Sequence, residues 1–362
     1  MNCQDKTLPK SMSLWSGLIG LTVFLTTTAA AQPMPQFTYT TLDYGANATF
    51  LTGIRGNNIV GNYVIPNGGG GTGGLLYNQS TQTWSLFPTG TANGASFPGA
   101  VGSSPYGASF GSQNGILNAV GSFKTNASSP YDLSYLYNGA GVPSGTLTTL
   151  IYPATPAAPS LNTIAHSTFG DQVVGNYDTK LATGNAFIYT ISTGAYSTNN
   201  FPGALSTTAY GVWGDKIAGG YTPPGLGFER GYIFNQTTST WQTYNHPGAV
   251  FTHFEGITGA GRGGEYNLVA DWAGVDGILH AAVLHIGPGG TQTWTDYAVT
   301  GTLTSANSIY ENQAVGIYVD LNGITHGYSV TIPGIYNPIS NTGPINSTPS
   351  MHRLCPAALA TT

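Results

Sequence analysis

The sequence contains very little charge. Only 6% of its 362 residues are charged, whereas soluble domains average about 25%. The nine lysines and arginines form no cluster, so we expect neither nucleic acid nor an anionic membrane as a partner. Such a surface must rely on hydroxyl and amide side chains for its solubility. It suits contact with a neutral partner such as a glycan.

Cysteine and long apolar runs are scarce as well. The two cysteines are Cys3 and Cys355, close to opposite ends of the chain. Once the N-terminal segment is removed, a single thiol remains and no internal disulfide can form. The apolar run Leu14–Leu25 is shorter than the roughly 20 residues that cross a membrane. We therefore expect no transmembrane segment.

The first residues have the pattern of an export signal. Lys6 and Lys10 precede the apolar run Leu14–Leu25, and the small residues Ala29-Ala30-Ala31 follow it. This order is typical of a cleaved secretory signal. We predict a signal peptide over residues 1–31, a mature chain that begins near Gln32, and a protein that is secreted, periplasmic or attached to the cell surface.

Glycine, in contrast, is abundant and separates the strands of a repeat. In one copy, Ala209–Trp213 is followed by Lys216–Tyr221, Arg230–Phe234 and Trp241–Tyr244. β-branched and aromatic runs between Gly, Pro, Asn and Asp predict strands joined by tight turns. Four strands in about 40 residues predict one blade of a β-propeller. The six copies begin at Gly53-Ile54, Ala108–Phe110, Thr168-Phe169, Gly211-Val212, Gly256-Ile257 and Ser308-Ile309.

The sixth copy lacks a fourth strand, and a matching strand precedes the first copy. Phe37–Ala46 has the pattern of Thr240–Ala249. An N-terminal strand that completes the last blade closes the ring and leaves no open edge. We therefore predict an all-β fold, a β-propeller of six four-stranded blades over residues 32–332. Residues 333–362 show no repeat and are predicted to be a disordered tail.

Several segments resemble the bacterial secreted extracellular-repeat proteins, which include the HAF-repeat proteins. The resemblance is carried by His280-Ala281-Ala282, Thr325–Tyr328, Tyr39–Asp43, Pro247-Gly248-Ala249 and Gly53–Gly61. It covers most of residues 37–332, and it implies a secreted propeller but no particular chemistry. In four copies the third-strand histidine of that family is replaced, by Gly73, Leu133, Asn185 and Arg230.

The fifth copy concentrates the charge of the chain: His253, Glu255, Arg262, Glu265, Asp271, Asp276 and His285. Glu255 could form a carboxylate pair with Asp271 or Glu265, and the alternative is a loop of solvated charges. Because blades converge on the axis, a ligand would meet residues from several of them. The predicted ligand-binding residues are those that break the repeat, with two histidines: Asn185, Arg230, His253, Glu255, Arg262, Asp271, His280 and His326.

No catalytic residue, metal or cofactor is predicted. Gly107–Gly111 matches the letters of a hydrolase Gly-x-Ser-x-Gly motif but lies in a repeat strand with no helix after it. The histidines lack metal-ligand spacing, and His280 and His326 can also be explained as rings packed on a neighbouring blade. Trp84, Trp241 and Trp294 are predicted to pack within blades.

Two functions remain open on the sequence. The first is a non-catalytic binding protein or surface scaffold, expected to be monomeric, whose partner is a glycan or another secreted protein. The alternative is an extracellular carbohydrate-active enzyme, a hydrolase or lyase, that uses the charged fifth blade.

Overall fold

The alternating apolar and polar residues form strands, and the described part of the chain contains almost no helix. A computed structural model describes residues 37–66, 71–87, 102–110, 117–125, 131–139, 145–153, 155–181, 183–299, 301 and 303–336, which belong to the compact unit Pro35–Thr362. These ranges contain 24 β-strands and one turn of 3-10 helix, Pro288–Gly290. No helix within them is long and apolar enough to cross a membrane. The predicted signal peptide lies outside the described residues.

The strands form six antiparallel sheets of four, which we call blades 1 to 6. β1 (Thr38–Thr41) comes first. Blade 1 contains β2 (Thr49–Arg55), β3 (Asn58–Val64), β4 (Thr72–Asn78) and β5 (Thr83–Leu86). Blade 2 contains β6 (Gly102–Phe110), β7 (Leu117–Lys124), β8 (Leu133–Asn138) and β9 (Thr146–Leu150). Blade 3 contains β10 (Ser160–Phe169), β11 (Gln172–Thr179), β12 (Asn185–Thr190) and β13 (Ala195–Thr198).

The remaining blades repeat this order of inner, second, third and outer strand. Blade 4 contains β14 (Ser206–Trp213), β15 (Lys216–Thr222), β16 (Arg230–Asn235) and β17 (Thr240–Tyr244). Blade 5 contains β18 (Phe251–Gly259), β19 (Tyr266–Ala273), β20 (Leu279–Ile286) and β21 (Gln292–Tyr297). Blade 6 contains β22 (Leu303–Tyr310), β23 (Gln313–Val319), β24 (Thr325–Thr331) and, as its outer strand, β1. The predicted six-bladed propeller is confirmed.

The N-terminal strand closes the ring, as the sequence predicts. β1 pairs antiparallel with β24, with Thr38 opposite Thr331 and Thr41 opposite Tyr328. Just after β1, Leu42 N donates to the carbonyl oxygen of Gly327 at 2.9 Å. Backbone hydrogen bonds between the two ends of the described chain therefore complete blade 6 and cover the edge of β24.

One apolar core lies between each pair of neighbouring blades. Between blades 4 and 5, for example, Ala218 and Ile233 pack with Phe254 and Leu268. Equivalent cores join the other five pairs, including blades 6 and 1. Each blade is thus buried on both faces, and the stability of the fold depends on a complete ring.

The repeated glycine of the second strand makes room for an aromatic ring. A Cβ on Gly219 would collide with the carbonyl oxygen of Thr208 in the inner strand. Tyr232, in the third strand, donates to that oxygen at 2.9 Å. In blade 5 an alanine pair, Ala270 and Ala282, replaces the glycine and the aromatic residue. Gly121, Gly175 and Gly316 also lie opposite an aromatic residue, whereas Gly61 lies opposite Leu75.

The register confirms the predicted alignment of the third strands. Gly73, Leu133, Asn185 and Arg230 occupy the position of His280 and His326, because each lies opposite an aromatic residue of the second strand. Those partners are Tyr63, Phe123, Tyr177, Tyr221, Trp272 and Tyr318.

The two faces of the ring differ in composition. The inner strands begin on what we call the upper face, which also carries the loops between second and third strands. The hairpins between inner and second strands lie on the lower face. All the large apolar side chains found exposed in the described ranges belong to the upper face: Val64, Tyr131, Ile151, Leu181, Leu205, Leu226, Phe228, Val275, Ile278, Leu321 and Ile324.

The described chain ends at Tyr336, just past the last blade. Ile332 and Ile335 are buried in the core shared by blades 5 and 6, and Asn267 Nδ2 donates to the carbonyl oxygen of Ile335 at 2.8 Å. Residues 337–362 lie outside the described part, so the disordered tail stays a prediction for them.

Candidate functional site

Each inner strand contains a β-bulge at the same place. In blade 5 the register passes from Phe254 opposite Ala270 to Gly256 opposite Val269, so Glu255 has no residue opposite it. A bulge bends its strand and redirects the extra side chain. The same shift occurs in all six blades, and we call the extra residues the bulge ring: Thr52, Tyr106, His166, Tyr210, Glu255 and Asn307.

The bulge ring lines a cavity on the axis of the propeller. The cavity measures about 140 Å³, and the inner strands of all six blades contribute to it. This volume is well above the roughly 10–15 Å³ that a cavity needs to hold one water molecule. Below the bulge ring, toward the lower face, the wall is apolar and includes Ile54, Val212, Ile257 and Ile309.

A glycine or serine follows each bulge residue because this position packs on the next blade. A Cβ on Gly211 would lie 2.9 Å from the amide nitrogen of Ile257, and a Cβ on Gly107 would lie 2.9 Å from Ser167 Cα. A larger residue would push neighbouring inner strands apart. These small residues therefore fix the width of the channel at the bulge ring.

The acidic side of the cavity is built around a buried histidine. His253 Nδ1 donates to Glu229 Oε2 at 2.6 Å, and His253 Nε2 lies 3.7 Å from Glu255 Oε1. No described residue accepts a hydrogen bond from Nε2. The Tyr210 ring meets the imidazole edge-on, with centroids 4.6 Å apart. The imidazole thus lies between one carboxylate behind it and another that lines the cavity.

These contacts set the charges of the cluster. Burial opposes the cation of His253, but Glu255, Glu229 and Asp271 raise its pKa to about 9. Burial raises the pKa of Glu255 to about 8; the His253 cation limits the rise, and Asp271 and Glu229 add to it. Burial is the largest single influence on Glu229 and acts to raise its pKa, but the hydrogen bond from His253 and the charge of His253 together outweigh burial and lower that pKa. Near neutral pH, a His253–Glu229 ion pair therefore supports a protonated Glu255.

The three aromatic side chains of the bulge ring, those of Tyr106, His166 and Tyr210, lie side by side next to this cluster. His166 stacks on Tyr210 with centroids 3.9 Å apart, and Tyr106 lies 5.2 Å from His166 on the other side. Burial and the charge of His253 lower the pKa of His166 to about 3, so this imidazole is neutral. Asn176 Nδ2 donates to His166 Nε2 at 3.4 Å. The rings form a neutral aromatic wall beside the acid.

The members of the bulge ring differ in how far the protein satisfies their polar atoms. Thr52 Oγ1 and Asn307 Nδ2 donate to backbone carbonyl oxygens of the next blade at 2.5 and 2.6 Å. Among the described residues, neither the Tyr210 hydroxyl nor the Glu255 carboxyl makes a hydrogen bond. Thr52 and Asn307 therefore tie inner strands together, whereas Tyr210 and Glu255 are the groups that a ligand would meet.

Arg55 lies at the lower end of the cavity. Its guanidinium carbon is 4.1 Å from the Trp213 ring centroid, 4.9 Å from that of Tyr310 and 5.5 Å from that of Phe169. These rings belong to blades 4, 6 and 3, so one cation contacts inner strands across the channel. Burial lowers the pKa of Arg55, while Tyr310 and Glu311 oppose this change. Even so, a guanidinium remains charged in proteins.

Three of the predicted site residues belong to this region. Glu255 lines the cavity and His253 lies directly behind it. Asp271 lies between blades 5 and 6, where Oδ2 accepts from Ser305 Oγ at 2.7 Å and Oδ1 from the amide of Ala306 at 2.8 Å. Burial raises its pKa to about 6, although both hydrogen bonds act to lower it. Asp271 holds the inner strand of blade 6 beside its bulge and does not line the cavity.

The structure does not bring the other polar candidates to the axis. Asn185 opens β12 and accepts from Asn200 Nδ2 at 2.8 Å. Arg230 opens β16, and Arg262 is exposed in the connection from β18 to β19. In the described ranges, no group of three or more His, Cys, Asp or Glu side chains could hold a metal ion.

The two third-strand histidines also lie away from the cavity. His280 stacks on Trp272 with centroids 4.5 Å apart, and His326 stacks on Tyr318 at 4.9 Å. His326 Nδ1 also donates to Asp43 Oδ2 at 2.8 Å. The sequence also allowed these two histidines to be rings packed on a neighbouring blade. Both rings do pack on an aromatic side chain, but that side chain belongs to their own blade.

Sequence reasoning missed Glu229 and five members of the bulge ring. The residue type at the bulge position differs between most blades, so a search for residues that recur in every copy of the repeat does not find this position. The bulge position could have been found from its place in the repeat. Each bulge residue directly precedes a small residue, and in four blades an aliphatic residue comes next, as in Glu255-Gly256-Ile257. In two copies the predicted alignment was wrong, because Gly107-Ala108 and Ser167-Thr168 are the true equivalents of Gly53-Ile54.

Comparisons with known proteins support the fold. No family model matches the chain, and no curated protein matches it. A protein of unknown function from Dyadobacter fermentans is similar in structure, with a TM-score of 0.51, 12% identity, and coverage of 83% of this chain and 100% of that one. A Trypanosoma rangeli sialidase in complex with sialic acid has a TM-score of 0.45 and 12% identity. That match covers 83% of this chain and 59% of the sialidase. The β-propeller domain of Cps50 (Swd1) from Myceliophteria thermophila has a TM-score of 0.41 and 9% identity, with coverage of 80% and 99%. At 12% identity the likeness to the Dyadobacter fermentans protein concerns the fold alone, and nothing is inferred from the two structures with TM-scores below 0.5.

Proposed function

We propose that this protein is an exported, non-catalytic binding protein that takes a small hydroxyl-rich ligand, such as a sugar residue, into the axial cavity. One observation carries the proposal. Six copies of one repeat place a threonine, two tyrosines, a histidine, a glutamate and an asparagine at one level around the axis. Packing accounts for residues that recur in every blade, whereas it does not account for chemical variety at the one position where all blades meet.

The chemistry of the cavity favours an occupant with hydroxyl groups. Tyr210 and Glu255 line the cavity, and neither the hydroxyl nor the carboxyl makes a hydrogen bond to a described residue, so both groups can hydrogen-bond to the hydroxyls of a ligand. Tyr106 adds an aromatic ring to the lining of the cavity, and aromatic rings pack well on the C–H face of a sugar. Each hydrogen bond gained is expected to contribute about 0.5–1.5 kcal/mol, or about 1.5–3 kcal/mol with a charged partner.

A panel of monosaccharides tests the proposal by isothermal titration calorimetry. We expect saturable 1:1 binding of at least one member, weakened at least tenfold by Glu255→Gln and by Tyr210→Phe. Asp276→Asn is the matched control, because it removes an exposed carboxylate from the same blade, and it should bind as the unmodified protein does. Equal affinity in all three variants would contradict an axial site.

The second candidate is a carbohydrate-active hydrolase or lyase. Its specific support is Glu255, whose pKa is raised to about 8 by burial, because a carboxylic acid protonated near neutral pH can act as a general acid. Release of reducing ends or unsaturated products from any polysaccharide, abolished by Glu255→Gln, would favour the enzyme. Binding without turnover would favour the non-catalytic function, which we place first because the cavity shows no second carboxylate opposite Glu255 among its lining residues.

The proposal also includes the location, processing and oligomeric state of the protein. Export, maturation near Gln32, a monomeric state and membership of the HAF-repeat proteins rest on the sequence patterns described above. The apolar upper face would support the other partner expected from sequence, a secreted protein. N-terminal sequencing of the exported form and light scattering of the purified protein test processing and oligomeric state; an intact Met1 or a stable dimer would overturn these points.

A further inference from the structure

Three of the 14 acidic residues of the chain act on one imidazole beside the axial cavity. They are Glu229, Glu255 and Asp271, and all three raise the pKa of His253. The histidine itself is only 5% exposed. Three acids beside one base cannot all be neutralised by ion pairing, because one imidazolium balances one carboxylate. This side of the cavity therefore carries an excess of acid.

The protein satisfies two of these acids and leaves the third. Glu229 Oε2 accepts a hydrogen bond from His253 Nδ1 at 2.6 Å. Asp271 accepts one from a serine hydroxyl at 2.7 Å and one from a backbone amide at 2.8 Å. Glu255 Oε1, in contrast, lies 3.7 Å from His253 Nε2, which is beyond hydrogen-bonding distance. That buried Nε2 atom has no described hydrogen-bond partner either. Among the described residues, the acid that lines the cavity is thus the one without a hydrogen bond.

Near neutral pH, a proton balances the charge of Glu255. Burial raises its pKa to about 8; the His253 cation limits the rise, and Asp271 and Glu229 add to it. An opposite charge within about 4–6 Å favours the ionised form of a carboxyl group. A cation brought into the cavity next to Glu255 would therefore take over the role of the proton.

An organic ammonium group fits this position better than a metal ion does. Across the part of the chain that the structure describes, no group of three or more His, Cys, Asp or Glu side chains could hold a metal ion. An ammonium group needs only one carboxylate, and its remaining N–H groups can donate to neutral oxygen atoms. The hydroxyl of Tyr210, which lines the same cavity, is such an acceptor.

The arginine at the lower end of the cavity lies away from this position. The guanidinium of Arg55 contacts aromatic rings of three other blades, and each ring, like Arg55, lies three residues beyond the bulge residue of its own strand. Three residues of a strand span about 10 Å. Glu311 also acts on the charge of Arg55. A ligand cation at Glu255 is therefore separated from the guanidinium along the axis.

We propose that the axial cavity takes an amino sugar, whose ammonium group pairs with the carboxylate of Glu255 while its hydroxyl groups meet Tyr210 and other polar groups of the lining. This inference rests on the proposed function and narrows it from hydroxyl-rich ligands in general to ligands with a cationic amine. On binding, the Glu255 carboxyl group releases its proton to the solvent, and the ammonium group of the ligand balances the resulting charge.

Matched ligands test the inference on the unmodified protein. Glucosamine, galactosamine and mannosamine are each compared with the neutral sugar that has a hydroxyl in place of the ammonium group. Titration calorimetry at pH 6.5 should show at least one amine binding at least tenfold more tightly than its neutral counterpart. Raised salt should reduce this preference, since screening weakens a charge contact. Titrations in buffers of different ionisation enthalpy should show release of about one proton for each bound amine and none for the neutral sugar.

Two variants and a control locate the ammonium group. Glu255→Gln should abolish both the preference and the proton release, so that the amine and the neutral sugar bind alike. Tyr210→Phe should weaken both ligands by a similar factor and keep the preference, because it removes a hydroxyl and no charge. Asp276→Asn, which removes an exposed carboxylate from the same blade, should retain both properties. Thermal unfolding of each variant measures any loss of structure separately.

The outcomes separate this inference from the proposed function. If neutral sugars bind as tightly as the amines and the binding depends on Glu255 and Tyr210, the amino-sugar inference is overturned and the axial binding site stands. If no sugar or amino sugar of the three series binds, the proposed function fails as well. A preference for amines that persists in Glu255→Gln, or that occurs without proton release, would place the ammonium group elsewhere and would also overturn the inference.

Discussion

The Glu255→Gln substitution is the most informative single change in this molecule. Glu255 has a pKa raised from 4.5 to about 8, chiefly by burial. The folded state therefore holds its proton more tightly than the unfolded chain does. The resulting stability is fully present below pH 4.5 and is lost as the pH rises through 8. Glutamine resembles the protonated acid at every pH, so it should be nearly neutral at pH 5 and stabilising at pH 9.

The size of the effect follows from the pKa. At about 1.4 kcal/mol for each pKa unit, the rise to about 8 sets an upper bound of about 5 kcal/mol. Because Glu255 titrates together with His253, the proton affinity belongs to the pair and not to one residue, and we expect on the order of 2–4 kcal/mol. Roughly 300 folded residues at about 2.1 cal/mol/K each give an unfolding entropy near 0.6 kcal/mol/K. The melting temperature of the variant should then exceed that of the unmodified protein by roughly 3–6 °C at pH 9.

Differential scanning calorimetry between pH 5 and pH 9 provides the assay. Asp276→Asn, on an exposed loop of the same blade, should follow the unmodified protein within experimental error. A Glu255→Gln difference that does not change with pH, or one that destabilises at pH 9, would refute the assignment of Glu255 as a buried acid on the cavity.

Other predictions concern the ring itself. Deletion of Thr38–Thr41 removes the outer strand of blade 6, and circular dichroism should show loss of the cooperative β-sheet transition; a stable fold would contradict closure by β1. Asp271→Ala leaves the hydroxyl of Ser305 without its acceptor and should lower the free energy of unfolding by about 2–4 kcal/mol in urea titration, with Asp271→Asn recovering part of the loss. Gly219→Ala brings a methyl group onto the carbonyl oxygen of Thr208 and should cost at least about 2 kcal/mol; an unchanged urea midpoint would show that the inner strand can yield.

Much of the fold can be predicted from the sequence because the repeat constrains it at every level. Strand period, turn residues and the unpaired strand at Phe37–Ala46 all favour a closed ring of six blades. Gly56, Gly170 and Gly214 lie in the tight turns between inner and second strands and take up the left-handed backbone with φ of 54°, 58° and 57°. Such local preferences need no knowledge of distant contacts, and for that reason a single sequence reveals them.

The site is harder to predict because it depends on where the bulges fall. Glu255 and His253 were found through the concentration of charge in the fifth blade. Tyr210 and His166 were not, because a tyrosine and a histidine in a strand resemble packing residues until the register places them on the axis. Arg55 gave no signal, since its relation to Trp213 across the channel depends on the closure of the whole ring.

The central claim is that the bulge ring receives the ligand, and a crystal structure of the protein with the tightest ligand of the sugar panel tests it most directly. We predict electron density in the axial cavity, with ligand oxygen atoms within hydrogen-bonding distance of Glu255 and Tyr210. Density for that ligand on the outer strands or on the upper face, with the axial cavity holding only water, would contradict the account.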